Sequence, residues 1–277
     1  MLFDYDGTLT PIAARPEIAT LPEKTRHSLA ALNEMDRFVV GGVSGRGLDD
    51  LVAMVGIPGL VYAGNHGLEI SGPCMHFVHP EAPDFESDLA GVSRLLEQEL
   101  AGVPGILVDN KRLTLTVHFR ASPESYATRV DEMVVATAAP YVAAGKMKIT
   151  RGKKVVEVRP NLDWGKGNAI DKILEDCGDN PLPMFFGDDE TDEDGFVAVQ
   201  NAGGLAVYVG PPRQNTKALH QLESPAEVGQ TLALVTRLGD EVGAQKGFQH
   251  NLGQLDADDS ATDADHVHVV VFHALAG

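Results

Sequence analysis

Positive charge is scarce in this chain. It carries 22 lysines and arginines against 40 aspartates and glutamates, a formal charge of −18 over 277 residues. An acidic surface is repelled by nucleic acid and by anionic membrane alike, so neither is expected as a partner. Cysteine is nearly absent. Cys74 and Cys177 are the only two, far apart and without metal-ligand spacing, so no disulfide framework is expected and a reducing cytoplasm fits. No apolar run approaches the length of a membrane span, which disfavours ion pumps. No segment repeats, and no leader peptide is visible. Only Met1, Leu2 and Phe3 precede the first motif, whereas a buried first strand usually has about five or six residues. The chain therefore reads as a fragment or as one with a misplaced start. What is plentiful is apolar residue, 43%, ample for one large domain or two small ones.

The first motif is Asp4-Tyr5-Asp6-Gly7-Thr8. In a strand, residues two apart face one side. Asp4 and Asp6 would then meet one cation or one phosphate if the strand direction continues through them. A pair of carboxylates is costly to hold together without a cation, and Mg²⁺ is the hard partner for carboxylate plus phosphate. The pattern points to an aspartate nucleophile that takes up a phosphoryl group, although an acidic surface turn would use the same residues. Three further elements argue for the first alternative. Ser44-Gly45-Arg46 follows the apolar run 38–43, Lys166 opens a helical pattern, and Gly187-Asp188-Asp189-Glu190-Thr191-Asp192 follows Met184-Phe185-Phe186. Taken singly, Ser44 suits a helix cap, Lys166 a solvated surface and the second acidic cluster a helix start. Together they are what a site beyond the carboxyl ends of α/β strands requires.

Strands are expected at 2–6, 38–43 and 60–63, with helices at 22–36 and 48–55 between them, a βαβ pattern that predicts a parallel sheet. From about residue 72 to 160 the pattern becomes two helices, 81–100 and 123–139, with an alternating strand at 113–119 and a hairpin about Arg151-Gly152-Lys153-Lys154. The βα pattern then resumes with a helix at 166–175, strands at 184–186 and 205–209, and a helical region at 219–238. The fold class expected is a Rossmann-like, doubly wound α/β core, residues 1–71 and 161–240, with an inserted α+β cap, residues 72–160. Residues 241–277 are expected to form an acidic, flexible tail. Its His266, His268 and His273 have an H-x-H spacing but suggest no third ligand type.

Several stretches carry a narrower resemblance: DYDGTLTPI from Asp4, VSGR from Val43, GNHGLE from Gly64, VHFR from Val117, GKKVVEVRP from Gly152 and GDDETDEDGF from Gly187. On these the chain resembles the haloacid dehalogenase-like phosphatases and, within them, the trehalose-6-phosphate phosphatases. The resemblance implies the inserted cap and an Mg²⁺-dependent hydrolysis of a sugar phosphate by a monomer. The substrate expected is trehalose 6-phosphate, with sucrose phosphate, a glycosyl-phosphoglycerate or a hexose phosphate as alternatives. A non-catalytic regulatory domain is a further alternative. Asp4 would be the nucleophile and Asp6 the general acid and then base, its backbone carbonyl also a metal ligand. Gly7 and Thr8 would supply the turn and amides around the phosphate. Ser44 would donate to a phosphate oxygen and Lys166 would neutralise Asp4 and the phosphate. Asp188 would bind the metal with Asp4, while Asp189 and Asp192 would orient its waters. Arg46 is a candidate cation for the anionic substrate. Asn65 and His66 would face the cleft from the third strand, His66 being equally suited to a packed position. In the cap, Lys111, His118, Arg120, Lys153 and Glu157 match family positions for the sugar, although Glu157 also suits an exposed strand pairing with Arg159. Trp164 is expected to pack at a hinge.

Overall fold

The computed structural model describes residues 1–177 and 182–244. The acidic stretch 256–265 and the three tail histidines lie outside the described residues. Among the described residues, twelve strands form two sheets. The larger holds β1 (Leu2–Phe3), β2 (Gly41–Val43), β3 (Val61–Gly64), β4 (Glu69–Gly72) and β5 (Met75–Val78). The smaller holds β6 (Leu107–Asn110), β7 (Leu115–His118), β8 (Met147–Gly152) and β9 (Val155–Pro160). The chain then returns to the first sheet with β10 (Met184–Gly187), β11 (Leu205–Val209) and β12 (His220–Leu222). The eight-stranded order is β12-β11-β10-β1-β2-β3-β4-β5, parallel from β12 to β3 and antiparallel through β4 and β5. Strand order turns outward in both directions from β1 and β10. A crevice opens at such a point, which places the ligand there.

Helices α1 (Glu23–Asn33), α2 (Leu48–Val55), α5 (Lys166–Asp176), α6 (Glu193–Asn201) and α7 (Pro225–Ala244) cover the large sheet, while α3 (Glu86–Glu99) and α4 (Ala127–Ala143) cover one face of the small one. Burial on both faces explains why the parallel strands are continuous apolar runs instead of alternating ones. Successive residues of β1 go to opposite cores: Phe3 joins Tyr5, Leu29, Leu51 and Phe186, whereas Leu2 joins Val43, Ile170, Phe185 and Phe196. A separate core of Leu89, Leu96, Val117, Val134 and Val158 lies under the small sheet. No helix among the described residues is long and apolar enough to cross a membrane.

The structure corrects several expectations. Cys74 and Cys177 are joined as a disulfide, with Cα atoms 5.4 Å apart despite a sequence separation of 103. The β4–β5 turn lies against the C-terminal end of α5, a proximity that spacing along the chain does not report. The ground for expecting a reducing compartment goes with it. The large sheet continues to Val78, past residue 72 where the insertion was expected to begin. The segment read as the start of the last helix includes β12, which pairs in parallel with β11. Its residues, His-Gln-Leu, carry no strand signal, and a neighbour's free edge supplies the hydrogen bonds that order them.

Candidate active site

β1 stops at Phe3, one residue before the first motif. The Asp4 amide still donates to Phe186 O of β10 at 2.8 Å, but Leu9 and Thr10 then fold back on the Tyr5 carbonyl. Gly7 makes that turn possible. Its φ is +98°, and a Cβ there would overlap the Asp188 carboxylate, so side-chain bulk is excluded on two grounds. Asp4 is 5% exposed and the Asp6 side chain 37% exposed, and a turn, not a continuing strand, brings both to one cavity.

Asp4 stands in a buried ionic cluster. Lys166, the first residue of α5, donates from Nζ to Asp4 Oδ1 at 2.7 Å and to Asp192 Oδ1 at 2.6 Å, and its own side chain is 2% exposed. Asp192 Oδ2 accepts the backbone amides of Asp188 and Asp189, both at 2.9 Å. Those bonds pin the loop after β10 and hold Asp188 beside Asp4. Oxygens of Asp4, Asp188 and Asp192 lie within 4.8 Å of one another. Burial raises the Asp4 carboxyl well above the ordinary range, against the pull of Lys166. Burial and then the charge of Asp192 raise Asp188 to about 6. Burial acts to lower the Lys166 pKa, but Asp192 and Asp4 outweigh it and hold the ammonium protonated. Three buried carboxylates against one buried ammonium is an arrangement that a hard divalent cation completes. The donor set, all carboxylate oxygen, suits a hard cation. Lys153, from the β8–β9 turn, reaches across from the small sheet and donates to Asp188 Oδ2 at 2.5 Å.

A cavity of about 160 Å³ opens over this cluster, walled on one side by Asp4, Asp6, Ser44, Lys166, Asp188 and Asp189. The opposite wall comes from the small sheet and its loops and includes Lys111, His118, Arg120, Lys153 and Glu157. Ser44 is buried and its Oγ also accepts the Arg46 amide at 3.3 Å, so it caps a turn and faces the cavity at once. Glu157 is nearly buried and accepts from His66 Nε2 at 2.9 Å, Thr116 Oγ1 at 3.0 Å and Lys111 Nζ at 3.5 Å. Burial opposes its ionisation, yet His66 and Lys111 hold its pKa well below the carboxylate range. Burial, then Arg159, lowers the pKa of His66 to about 4, so the ring is neutral and Nε2–H is the donor. Its Nδ1 is buried without a hydrogen-bond partner. Lys111 also donates to Gly45 O at 2.8 Å, and Arg120 donates to Ala13 O at 2.6 Å. Both cations thereby tie the small sheet to the large one.

Some expected residues lie elsewhere. Asn65 is fully buried at the end of β3, bonded to Glu69, to Thr114 at 2.7 Å and to the Lys111 carbonyl, and it does not line the cavity. Its job is to join the two layers. Gly7 and Thr8 shape the turn without lining the cavity, and Thr8 Oγ1 donates to Asp188 Oδ1 at 3.4 Å. The Asp189 side chain accepts the Glu190 amide and caps the following turn, and Asp192 is fully engaged by Lys166 and two amides. Arg46 is held by protein acceptors alone. Nε and Nη2 bind Asp6 at 2.6 and 2.8 Å, Nη1 binds Asp50 at 2.6 Å and Nη2 binds Pro16 O at 2.8 Å. Trp164 packs on Phe77, ring centroids 5.3 Å apart, and donates to Gly67 O.

Asp109 and Asp50 are among the cavity residues that escaped notice in the sequence. Asp109 faces the cavity from β6, its carboxylate 3.6 Å from His118 Nε2, and the neighbouring His118 ring and Lys111 ammonium lower its pKa although burial opposes this. Its alternation with Lys111 two residues on was the available signal, hidden because β6 is short and followed by a tight turn. Asp50, one helical turn beyond Arg46, was marked only by its i,i+4 spacing.

The sequence profile of the trehalose-phosphatase family matches residues 2–226. A probable trehalose-phosphate phosphatase 4 of Oryza sativa subsp. japonica is 37% identical over 241 residues, covering 82% of this chain and 63% of that protein. A probable trehalose-phosphate phosphatase D of Arabidopsis thaliana is 34% identical over 246 residues, 84% of this chain and 65% of that one. The chain thus spans somewhat less than two thirds of the length of either relative. Among solved structures, the C-terminal domain of the trehalose-6-phosphate phosphatase of C. albicans matches with a TM-score of 0.72 at 24% identity, covering 85% of this chain and 91% of that one. That likeness is one of fold.

Proposed function

The chain belongs to the trehalose-phosphatase family, and we propose that it hydrolyses trehalose 6-phosphate to trehalose and phosphate through a phosphoaspartate on Asp4. The observation that carries this reading is the buried Asp4–Lys166–Asp192 cluster, set beside Asp188 at the point where strand order reverses. A carboxylate held there has one oxygen tied to an ammonium and the other turned to a cavity, as an in-line attack on phosphorus needs.

Asp4 Oδ2 attacks phosphorus while the bond from phosphorus to the sugar oxygen breaks. Asp6 gives its proton to that departing oxygen. In the second half Asp6, now a carboxylate, takes a proton from water, the water oxygen bonds to phosphorus and the Asp4–phosphorus bond breaks. Lys166 keeps Asp4 Oδ1 ionised and in place, and Ser44 offers a hydroxyl to a phosphate oxygen. Asp4 and Asp188 are the residues that would hold Mg²⁺, with the Asp6 carbonyl. When bound, the cation would offset the like charges of nucleophile and phosphate. Glu157, Asp109 and His118 give the opposite wall hydrogen-bonding groups for sugar hydroxyls, and Lys153 is placed to meet the phosphate. We take the segment after β5, residues 79–160, as the cap that carries substrate choice.

Replacing Asp4 by Asn removes the attacking oxygen while keeping its shape. Phosphate release from trehalose 6-phosphate should stop and the melting profile should persist. Turnover surviving in Asp4→Asn would refute the mechanism. A panel with sucrose phosphate, glucosyl-phosphoglycerate and glucose 6-phosphate tests the substrate, and an intact protein inert to all would point to a regulatory domain.

A further inference from the structure

The guanidinium of Arg46 borders the cavity, but four of its five N–H donors are spent on protein acceptors. It grips both oxygens of Asp6, and one further N–H each goes to the Asp50 carboxylate and the Pro16 carbonyl. The two partners are not equally fixed. The Arg46 side chain is 6% exposed, with Tyr5 5.1 Å beneath it, whereas Asp6 is 37% exposed and is bordered by the cavity. Arg46 is anchored by the start of α2, by the 11–20 loop and by an aromatic face. Asp6 follows the end of β1 on a tight turn, and Arg46 is the only side chain among the described residues recorded as bonding its carboxylate.

A planar fork that meets both oxygens of a carboxylate sets its plane as well as its place, which a single point charge does not. Proton transfer to a leaving oxygen needs donor and acceptor within about 2.6–3.2 Å, and a misplacement of about 1 Å can lower a rate about 100-fold. We propose that Arg46 is a positioning residue for Asp6, a fork fixed by Asp50 and Pro16 that sets where the carboxyl group stands when the sugar oxygen departs. The inference rests on the phosphatase reading above. Its step is the first half-reaction: the bond from Asp4 to phosphorus forms, the bond to the sugar oxygen breaks, and the proton passes to that oxygen from Asp6, which carries it on the oxygen facing the cavity while the other oxygen keeps its Arg46 bond.

The test separates this role from phosphate binding and from support of the 11–20 loop. A sugar alkoxide leaves badly without a proton, whereas p-nitrophenolate leaves without one. Arg46→Gln should lower kcat for trehalose 6-phosphate about 100-fold and for p-nitrophenyl phosphate by less than about 5-fold, with either KM changed less than about 3-fold. Arg46→Lys should fall between the two. In an Asp6→Asn background, Arg46→Gln should add less than about a 2-fold further loss. Equal losses on both substrates, a rise in KM with kcat intact, or a full further loss on Asp6→Asn would each overturn the proposal. Should Arg46→Gln not fold, Asp50→Asn removes one anchor and leaves the Asp6 fork. It should then lower kcat about 3- to 10-fold for the sugar phosphate alone, and an equal effect on both substrates would count against the role. A wild type that turns over a different sugar phosphate refutes the trehalose reading only, and Arg46 is then judged with that alkoxide. A wild type inert to every sugar phosphate sinks both.

Discussion

Lys166→Met is the most demanding single perturbation of this site. The substitution keeps the length of the stem and removes the charge that lies 2.7 Å from Asp4 and 2.6 Å from Asp192, groups whose side chains are 7% and 0% exposed. Water cannot reach in to replace the ammonium, so two buried carboxylates are left facing each other and Asp188. Breaking a buried pair by removing one partner costs about 3–5 kcal/mol. Here the lower end applies, because the Asp4 carboxyl is already raised by burial and can take up a proton instead of staying charged. For a chain of this size each kcal/mol moves Tm by about 2–4 °C, so a loss of about 3 kcal/mol lowers Tm by roughly 6–12 °C. The assay is calorimetric unfolding in chelator and again in excess Mg²⁺. Because the variant cluster is more negative, the cation should restore much of the lost stability. It should not restore turnover, which falls about 100- to 1,000-fold when a placed charge is lost from such a site. Lys153 provides the contrast. Its side chain is 48% exposed, so Lys153→Met should leave Tm in chelator nearly unchanged. A Lys166→Met protein that melts within 2 °C of wild type in chelator, or that regains full turnover with Mg²⁺, would refute the account of the cluster.

Gly7→Ala should weaken divalent-cation binding and slow turnover together, since a Cβ at φ +98° overlaps the Asp188 carboxylate; unchanged cation affinity by titration calorimetry would contradict this. Protons compete with the cation for raised carboxyls. With Asp188 raised to about 6 and Asp4 raised as well, Mg²⁺ or Mn²⁺ affinity should be level from about pH 8 to 7 and fall as pH drops through 6, with protons released on binding. An affinity unchanged between about pH 7 and 5 would show that these carboxylates are not the ligands.

The legible part of this protein is the part whose signal is local. Met184-Phe185-Phe186 reads as a buried parallel strand because both faces of the sheet are covered, and Asp188 is placed by following it directly. Lys166 is placed by beginning α5, and Asp4 by ending β1. Strand ends and helix starts converge at a switch point by topology alone, so three remote motifs meet without any pairwise signal. The small sheet was partly legible: β8 and β9 flank a clear turn, but β6 is four residues long and hid Asp109. The sheet's two edges, β5 and β12, were missed because edge strands are ordered by a neighbour's free hydrogen-bonding groups more than by their own composition, and β4 was missed with its hairpin partner.

The amino-acid order alone determined the layered α/β class and the places of Asp4, Lys166 and the acidic loop 187–192 at strand ends and a helix start, because each depends on a residue's place within its own element. The tertiary structure decided the partners. It put Arg46 on Asp6, Asn65 inside the joint between the layers, and Cys74 against Cys177 across 103 residues. Hydrogen bonds and ion pairs act over a few ångströms, and only the folded chain brings groups with no sequence relation within that reach.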